Sequence, residues 1–551
     1  MAGTSSPYAP REMKSLSHKE QATTMHRPRK LGIGSRLAAL AAAFTMVVGA
    51  PMPGIAQSHA DEDGAATPIE HVVVIFQENV SFDHYFATYP NALNDDPGEP
   101  AFHPVPDTPN VNGLSGVLLS NNPNGANPAR LSRAQAALCD QDHGYTDEQT
   151  AFDFGLMDNF LANVPNQFCS NLDVNLSNEI MDYFDGNTVT ALWNYAQHFA
   201  MNDNSYGTTF GPSTPGALNL AAGNTFGAIS GANTDPHNKP AVAGDIAGGS
   251  AVDDGQPSED VCSTRDTFFF DSTSKNIGDL LNAAGMTWGW FQGGFDLTIT
   301  NANGTTGCAR STRSEITGVT KVDYIPHHEP FQYFVNTRNP NHTRPSGIGA
   351  IGYTDAANHQ YDLHDFFDAT NAGHMPQVAF LKAAGFQDGH AQYSDPLDEQ
   401  NFLVDTLNFL MKRPEWEHTA VFISYDDSDG WYDHVIGPVV HQSQTSADTL
   451  TGSGLCGSNA PGDGQQGRCG YGPRLPFMVI SPWAKRNFVD HTLTDQSSII
   501  RFIEDNFGLG RIGGGSADAY AGSVLNMFDF DRKHHTPARR LLLDPSTGEP
   551  L

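Results

Sequence analysis

The stretch His71-Val-Val-Val-Ile-Phe-Gln-Glu-Asn79 decides the fold. Its apolar run is unbroken and mostly β-branched, which predicts a strand covered on both faces, as in a parallel sheet between helices. Ligands bind at the carboxyl ends of the strands in such sheets. This strand runs out into Glu78-Asn79, two hard oxygen donors. Working outward, similar runs predict strands over Thr287–Phe291, Val378–Lys382, Ala420–Ser424 and Phe477–Ser481. Helical patterns fall between them, over Val189–Phe199, Asn276–Ala284, Glu399–Lys412 and Ser497–Asn506. The alternation predicts an α/β fold, a central mostly parallel sheet sandwiched between helices. Segments near 90–130, 223–262, 300–345 and 438–472 are rich in Gly, Pro, Asn and Ser and read as long loop inserts. Loops that long often wall an active site.

Residues 1–60 read as a signal peptide and are set apart from a single domain over 61–551. Arg27, Arg29, Lys30 and Arg36 precede the apolar stretch Leu37–Ala50, and Ser58-His59-Ala60 supplies small residues for cleavage. Met25 offers an alternative start, which would make 1–24 an over-extended N-terminus. The expected location is therefore secreted or periplasmic, with no stable membrane anchor, since no later apolar run is long enough to span a bilayer. Removing 1–60 takes away seven basic and two acidic residues, leaving 23 basic against 60 acidic, a net charge of −37. So acidic a surface repels nucleic acid and anionic membranes, and phosphate chemistry on it needs a local positive centre. Six cysteines in an exported chain imply three disulfides. Nearest-neighbour pairing is expected: Cys139 with Cys169, Cys262 with Cys308 and Cys456 with Cys469.

Three constellations carry chemistry. The predicted strand Ala420–Ser424 runs through Tyr425 into Asp426-Asp427, a second strand end with hard oxygens. Acidic residues also cap loops and helices, but two such termini on one sheet make a divalent-cation site. His327-His328, His390 and His143 form a second group, able to supply positive charge and protons near neutral pH. In Phe210-Gly-Pro-Ser-Thr-Pro-Gly216, stiff residues hold Ser213 before a helix expected from about Ala217. A hydroxyl there is either an ordinary cap or a nucleophile facing an anion.

These residues carry a resemblance. VVVIFQENVSFDHYFATYP (72–90), GPSTPG (211–216), IPHHEPFQYF (325–334), DGHAQYSDP (388–396) and VFISYDDSDGWYDHV (421–435) together resemble the bacterial phosphoesterase family of acid phosphatases and phospholipases C. The resemblance spans about residues 68–530 and implies an alkaline-phosphatase-like fold. It implies one divalent metal ion (zinc, calcium or magnesium) on Glu78, Asn79, Asp426 and Asp427. It implies Ser213 as nucleophile, with His143, His327, His328 and His390 lining the phosphate pocket. Within that frame His390 is assigned to protonating the leaving group and His143 to holding phosphate, and the substrate is a phosphate ester. The nucleophile is serine in the family's acid phosphatases and threonine in its phospholipases C. Ser213 and the wording around Asp426 therefore lean towards an acid phosphatase, with a phospholipase C as the alternative. A third reading is a non-catalytic metal- or phosphate-binding protein. The family block reads Glu-Asn-Arg-Ser-Phe-Asp, and here Val80 replaces the arginine, which puts loop anchoring and phosphate contacts in question.

Overall fold

In the computed structural model, which describes residues 64–163, 169, 178–231, 242–243, 249–531 and 538–551, eight strands form the central sheet. They are β1 (His71–Gln77), β2 (Ala200–Asn202), β3 (Trp288–Gln292), β4 (Gln360–Asp362), β5 (Val378–Lys382), β6 (Thr419–Tyr425), β7 (Phe477–Ile480) and β8 (Phe488–Asp490). Their order is β4-β3-β5-β1-β6-β7-β2-β8. β1 is central and pairs in parallel with β5 and β6. β7 alone runs against its neighbours, antiparallel to both β6 and β2. The signal peptide expected over 1–60 lies outside the described residues.

All five expected strands form, each within a residue or two of its expected bounds. β2, β4 and β8, three residues each, were not foreseen: runs that short carry almost no periodicity, and tertiary pairing alone selects them. β5 and β6 are buried along their whole lengths and β1 from Val72 onward, so both faces of the sheet's centre are covered. The covering helices include α1 (Phe82–Phe86), α2 (Tyr145–Phe152), α3 (Thr190–His198), α4 (Ser213–Ala222), α5 (Ile277–Ala284), α6 (Leu363–Asn371), α7 (Pro396–Met411) and α8 (Ser497–Phe507). α4 packs on α5 and α8, and α3 packs on α7. α7 starts earlier than its apolar stripe suggests because Asp395 caps it, accepting from the N–H groups of Leu397 and Asp398, with Pro396 at the first position. α4 starts at Ser213 rather than near Ala217. Pro215 falls within the first turn, where a missing N–H costs no helical bond.

The insert expected near 223–262 is more than loop. Its described residues contribute strands to a small second sheet that runs to Phe269. The insert near 300–345 carries an antiparallel ribbon, Ser311–Arg313 against Thr320–Val322. The disulfides are Cys139–Cys169, Cys262–Cys308 and Cys456–Cys469, the nearest-neighbour set. Among the described residues no helix is long and apolar enough to cross a membrane.

α1 ties the chain after β1 to the chain after β6. His84 stacks on Trp431 with ring centroids 4.0 Å apart, and its Nδ1 lies 2.8 Å from the Asp182 carbonyl oxygen. Burial pushes the His84 imidazole down to about 3. The unfolded chain protonates it near the ordinary value of about 6.5. Its contribution is therefore intact above that value and is lost as pH falls towards 3, by up to about 1.4 kcal/mol per pH unit. Replacing His84 by Phe keeps the stacking and removes the titration. The decline in denaturation midpoint between pH 7 and pH 4.5 should be shallower in His84→Phe, and parallel curves would exclude His84 as the group responsible.

Candidate active site

Gln77 of β1 and Tyr425 of β6 are register partners, so Glu78-Asn79 and Asp426-Asp427 leave the sheet side by side. All four are buried. Asn79 adopts a left-handed φ of 36°, a conformation asparagine tolerates and one that concentrates at functional sites. The first turn of α4 comes down onto these residues. Gly216 permits the approach: a Cβ there would lie 2.1 Å from the Asp426 carbonyl oxygen. Glu148 of α2 holds the turn before Ser213, accepting from the Gly211 N–H at 2.8 Å and from the Ser428 hydroxyl at 2.6 Å. Asp254 accepts from the Thr214 N–H at 3.0 Å.

The outcome is a knot of oxygens. Ser213 Oγ lies 3.0 Å from Glu78 Oε2, 3.1 Å from Asp427 Oδ2 and 3.3 Å from Asn79 Oδ1. One hydroxyl proton cannot serve three acceptors. Turning the Asn79 amide over would bring its nitrogen within 2.6 Å of Glu78 Oε2, 3.0 Å of Asp426 Oδ1 and 3.3 Å of Asp427 Oδ2, and its oxygen within 3.2 Å of His390 Nε2. Three carboxyl groups and the Asn79 amide are hard oxygen donors gathered around Ser213, and Glu78, Asn79, Asp426 and Asp427 could together hold a divalent metal ion there.

Lys382, at the end of β5, supplies a fixed positive charge. Its ammonium donates to Glu78 Oε1 and lies 3.4 Å from Asp426 Oδ2. Burial would raise the Glu78 pKa, but His328 and Lys382 outweigh it and hold the carboxyl well below its ordinary value. Burial and then the Glu78 charge push Asp426 well up. Burial also lifts Asp427 to about 7, with Glu78 adding to it against the opposing pull of His143.

The histidines surround the knot. His143 Nε2 lies 3.4 Å from Asn79 Nδ2, while its Nδ1 is 2.7 Å from the Gln141 carbonyl oxygen and 3.3 Å from Asp429 Oδ1. His390 Nδ1 lies 2.8 Å from the Ala391 carbonyl oxygen, which leaves Nε2 to face Asn79. The adjacent pair diverges. His328 Nδ1 points back at Glu78 Oε1, 3.2 Å away, and His327 Nε2 stands 3.9 Å from Asp254 Oδ2. Burial holds His327 at about 4 and lowers His328 and His390 as well. His143 moves the other way, because Asp427 and Asp429 overcome the burial penalty.

Every site residue expected from the sequence is thus brought to one place. Lys382, Glu148 and Asp254 were not foreseen. Lys382 had a readable signal, a lone charge closing the apolar run VAFLK at the same end of the sheet as Glu78. Val80 is buried in the core. Nearby, Arg474 Nη2 lies 2.9 Å from Asp83 Oδ1 and 3.0 Å from Asp433 Oδ2, clamping the segments after β1 and β6 together.

This is an α/β protein whose strand ends hold an oxygen-donor cage against a helix-borne serine. A family model described as the Phosphoesterase family matches residues 69–510, and the chain belongs to that family. It is similar to a non-hemolytic phospholipase C of Pseudomonas aeruginosa, 24% identical over 461 residues that cover 81% of this chain and 55% of that protein. It is also similar to phospholipase C A of Mycobacterium tuberculosis, 25% identical over 85% of this chain and 78% of that one. The non-specific phospholipase C6 of Arabidopsis thaliana is 23% identical over 77% and 63%. The chain spans about half the length of the Pseudomonas relative. Among solved structures, a protein in the alkaline phosphatase superfamily from Vibrio parahaemolyticus aligns at a TM-score of 0.26 and 10% identity, covering 82% of this chain and 74% of that one.

The cage makes a prediction independent of activity. Stripping divalent ions with a chelator should lower the thermal unfolding temperature, and restoring the ion should recover it. Saturation at 100 times the dissociation constant adds about 2.7 kcal/mol. Asp427→Asn should abolish the recovery. Equal melting curves with and without chelator would remove the cation from this site.

Proposed function

We propose that this protein is an exported, metal-dependent phosphoric-ester hydrolase that attacks phosphorus with Ser213. The observation that carries the reading is Ser213 Oγ within 3.0–3.3 Å of Glu78, Asn79 and Asp427 at the start of α4. A divalent cation bound among Glu78, Asn79, Asp426 and Asp427 would favour the ionised hydroxyl and offset phosphoryl charge. The chain does the rest. Ser213 Oγ gives its proton to a neighbouring carboxylate and forms the bond to phosphorus in line with the departing oxygen. His143, drawn towards its charged form by Asp427 and Asp429, holds the phosphoryl oxygens, with His327 and His328 alongside. His390 in its charged form, which burial shifts to more acid pH, protonates the leaving oxygen from Nε2 as its bond to phosphorus breaks. Water then hydrolyses the phosphoserine ester. Export is supported by three disulfides.

The substrate side divides in two. The sequence wording leans to an acid phosphatase, but the relatives are named phospholipases C, and they support the phospholipid reading better. Ser213 rather than threonine is what favours the phosphomonoester. Ser213→Ala should cut turnover by about 10³-fold or more with an unchanged melting temperature. Undiminished activity would remove Ser213 as nucleophile and turn attention to Thr214. Initial rates on phosphatidylcholine vesicles against p-nitrophenyl phosphate then separate the two substrates. Release of a phosphorylated head group supports the phospholipase, and turnover of the monoester alone supports the phosphatase.

A further inference from the structure

Several basic side chains in and around the site are already committed to carboxylates. Lys382 is held by Glu78 and Asp426, and Arg310 by Asp323 and Asp362. Lys321 is different. It lies in the strand Thr320–Val322 of the 300–345 insert and is partly exposed. Among the described residues its ammonium makes no direct ion pair or hydrogen bond; it stands 3.6 Å over the centre of the Tyr393 ring, with the carboxylates of Asp388, Asp140 and Glu78 acting on it from further away. The other face of that ring is taken by His390, stacked at 4.4 Å, and the Tyr393 hydroxyl donates to Asp388 at 3.3 Å. The lysine stem is braced as well. A Cβ at Gly385, in the loop between β5 and His390, would lie 3.0 Å from Lys321 Cγ.

An ammonium whose direct contact is an aromatic face, with no carboxylate paired to it, can still take an anion as a charge-assisted partner. The chain as a whole carries a net charge of −32, so an ammonium not paired directly with a carboxylate stands out against the molecule's overall field. The Lys321 charge reaches His327, His328 and His390. With both faces of Tyr393 occupied, the ring offers none to a quaternary ammonium, the group that aromatic faces otherwise recognise.

On the reading of this site as a phosphoester hydrolase, we propose that Lys321 is a subsite for a second anionic group. That group is a carboxylate or further phosphate carried by the substrate beyond its scissile phosphoryl group. A carboxylated phosphomonoester and a lipid with a carboxylated head group share this chemistry.

The test compares matched substrates: 4-carboxyphenyl phosphate with phenyl phosphate, and phosphatidylserine with phosphatidylcholine vesicles. For each pair the ratio of kcat/KM, acid-bearing over plain, is measured in the native protein, Lys321→Met and Lys321→Glu. A charge-assisted contact predicts that the ratio falls about ten-fold or more in Lys321→Met and further in Lys321→Glu, through KM rather than kcat. The pair in which it falls identifies the source. Calorimetry with Ser213→Ala and Ser213→Ala/Lys321→Met gives the same ratio as affinities without needing turnover. If the native protein hydrolyses none of the four esters, the hydrolase reading fails, and the affinity ratio still decides the subsite. If the ratios are equal in native and Lys321 variants, the subsite is overturned while the hydrolase reading stands.

Discussion

The parallel pairing of β1 with β6, in register to Gln77 and Tyr425, is the constraint on which the rest depends. It delivers three buried carboxyl groups and an amide oxygen into one small volume. Two unit charges about 4 Å apart interact by about 4 kcal/mol at an effective dielectric of 20, and each buried ion pays several kcal/mol in lost hydration. Such an arrangement persists only with compensating positive charge. Part of it is built in, because β5, the other neighbour of β1, ends in Lys382. Three adjacent strands thus end in carboxylate, carboxylate and ammonium. One lysine does not balance Glu78, Asp426 and Asp427 when all are ionised, and protonation of Asp426 and Asp427 or a divalent cation among them would supply the remainder.

The surrounding elements serve this knot. α4 must lie close enough for Ser213 to enter it, and Gly216 removes the side chain that would prevent this. Glu148 reaches across from α2 to fix the preceding turn, and burial, followed by the nearby Asp427, lifts its carboxyl to about 8. Below them, Arg474 locks Asp83 to Asp433 and spends its remaining donors on the carbonyls of Asn112 and Asp203, at 2.7 and 2.8 Å. A fully buried guanidinium with every direction satisfied is expensive to disturb. It makes the two strand-end loops one rigid unit without an arginine at position 80.

Much of this was legible in the sequence because it rests on short-range signals. Unbroken apolar runs mark strands covered on both faces, and the residues that follow them must lie at the sheet's carboxyl edge. That logic placed Glu78, Asn79, Asp426 and Asp427, while the stiff Gly-Pro-Ser-Thr-Pro-Gly turn placed Ser213. What was not legible depends on three-dimensional neighbours. No local pattern says that β5 lies next to β1, so Lys382 read as the end of a strand rather than as the counter-charge of Glu78. His327 and His328 are adjacent in sequence, which suggests a shared role, yet a 3₁₀ turn at Pro326–His328 sends one towards Asp254 and the other towards Glu78. The three-residue strands and the small sheet in the 223–262 insert are selected by pairing, which composition does not reveal.

The division of labour between scaffold and insert bears on the substrate. The groups assigned to bond breaking, apart from His327 and His328, stand on strand ends, on α4 or on the loops beside α2 and after β5. They act on the phosphoryl group that all the candidate esters share. They carry little information about which ester is bound, and that accounts for a family match that defines the chemistry while leaving phosphatase and phospholipase to be argued. The positions left to discriminate come from the inserts, among them Lys321 from 300–345 and Asp254 from 223–262. If Lys321 takes a second anionic group as proposed, selectivity is set by which charges the inserts bring over the cage, without moving any atom of the oxygen cage.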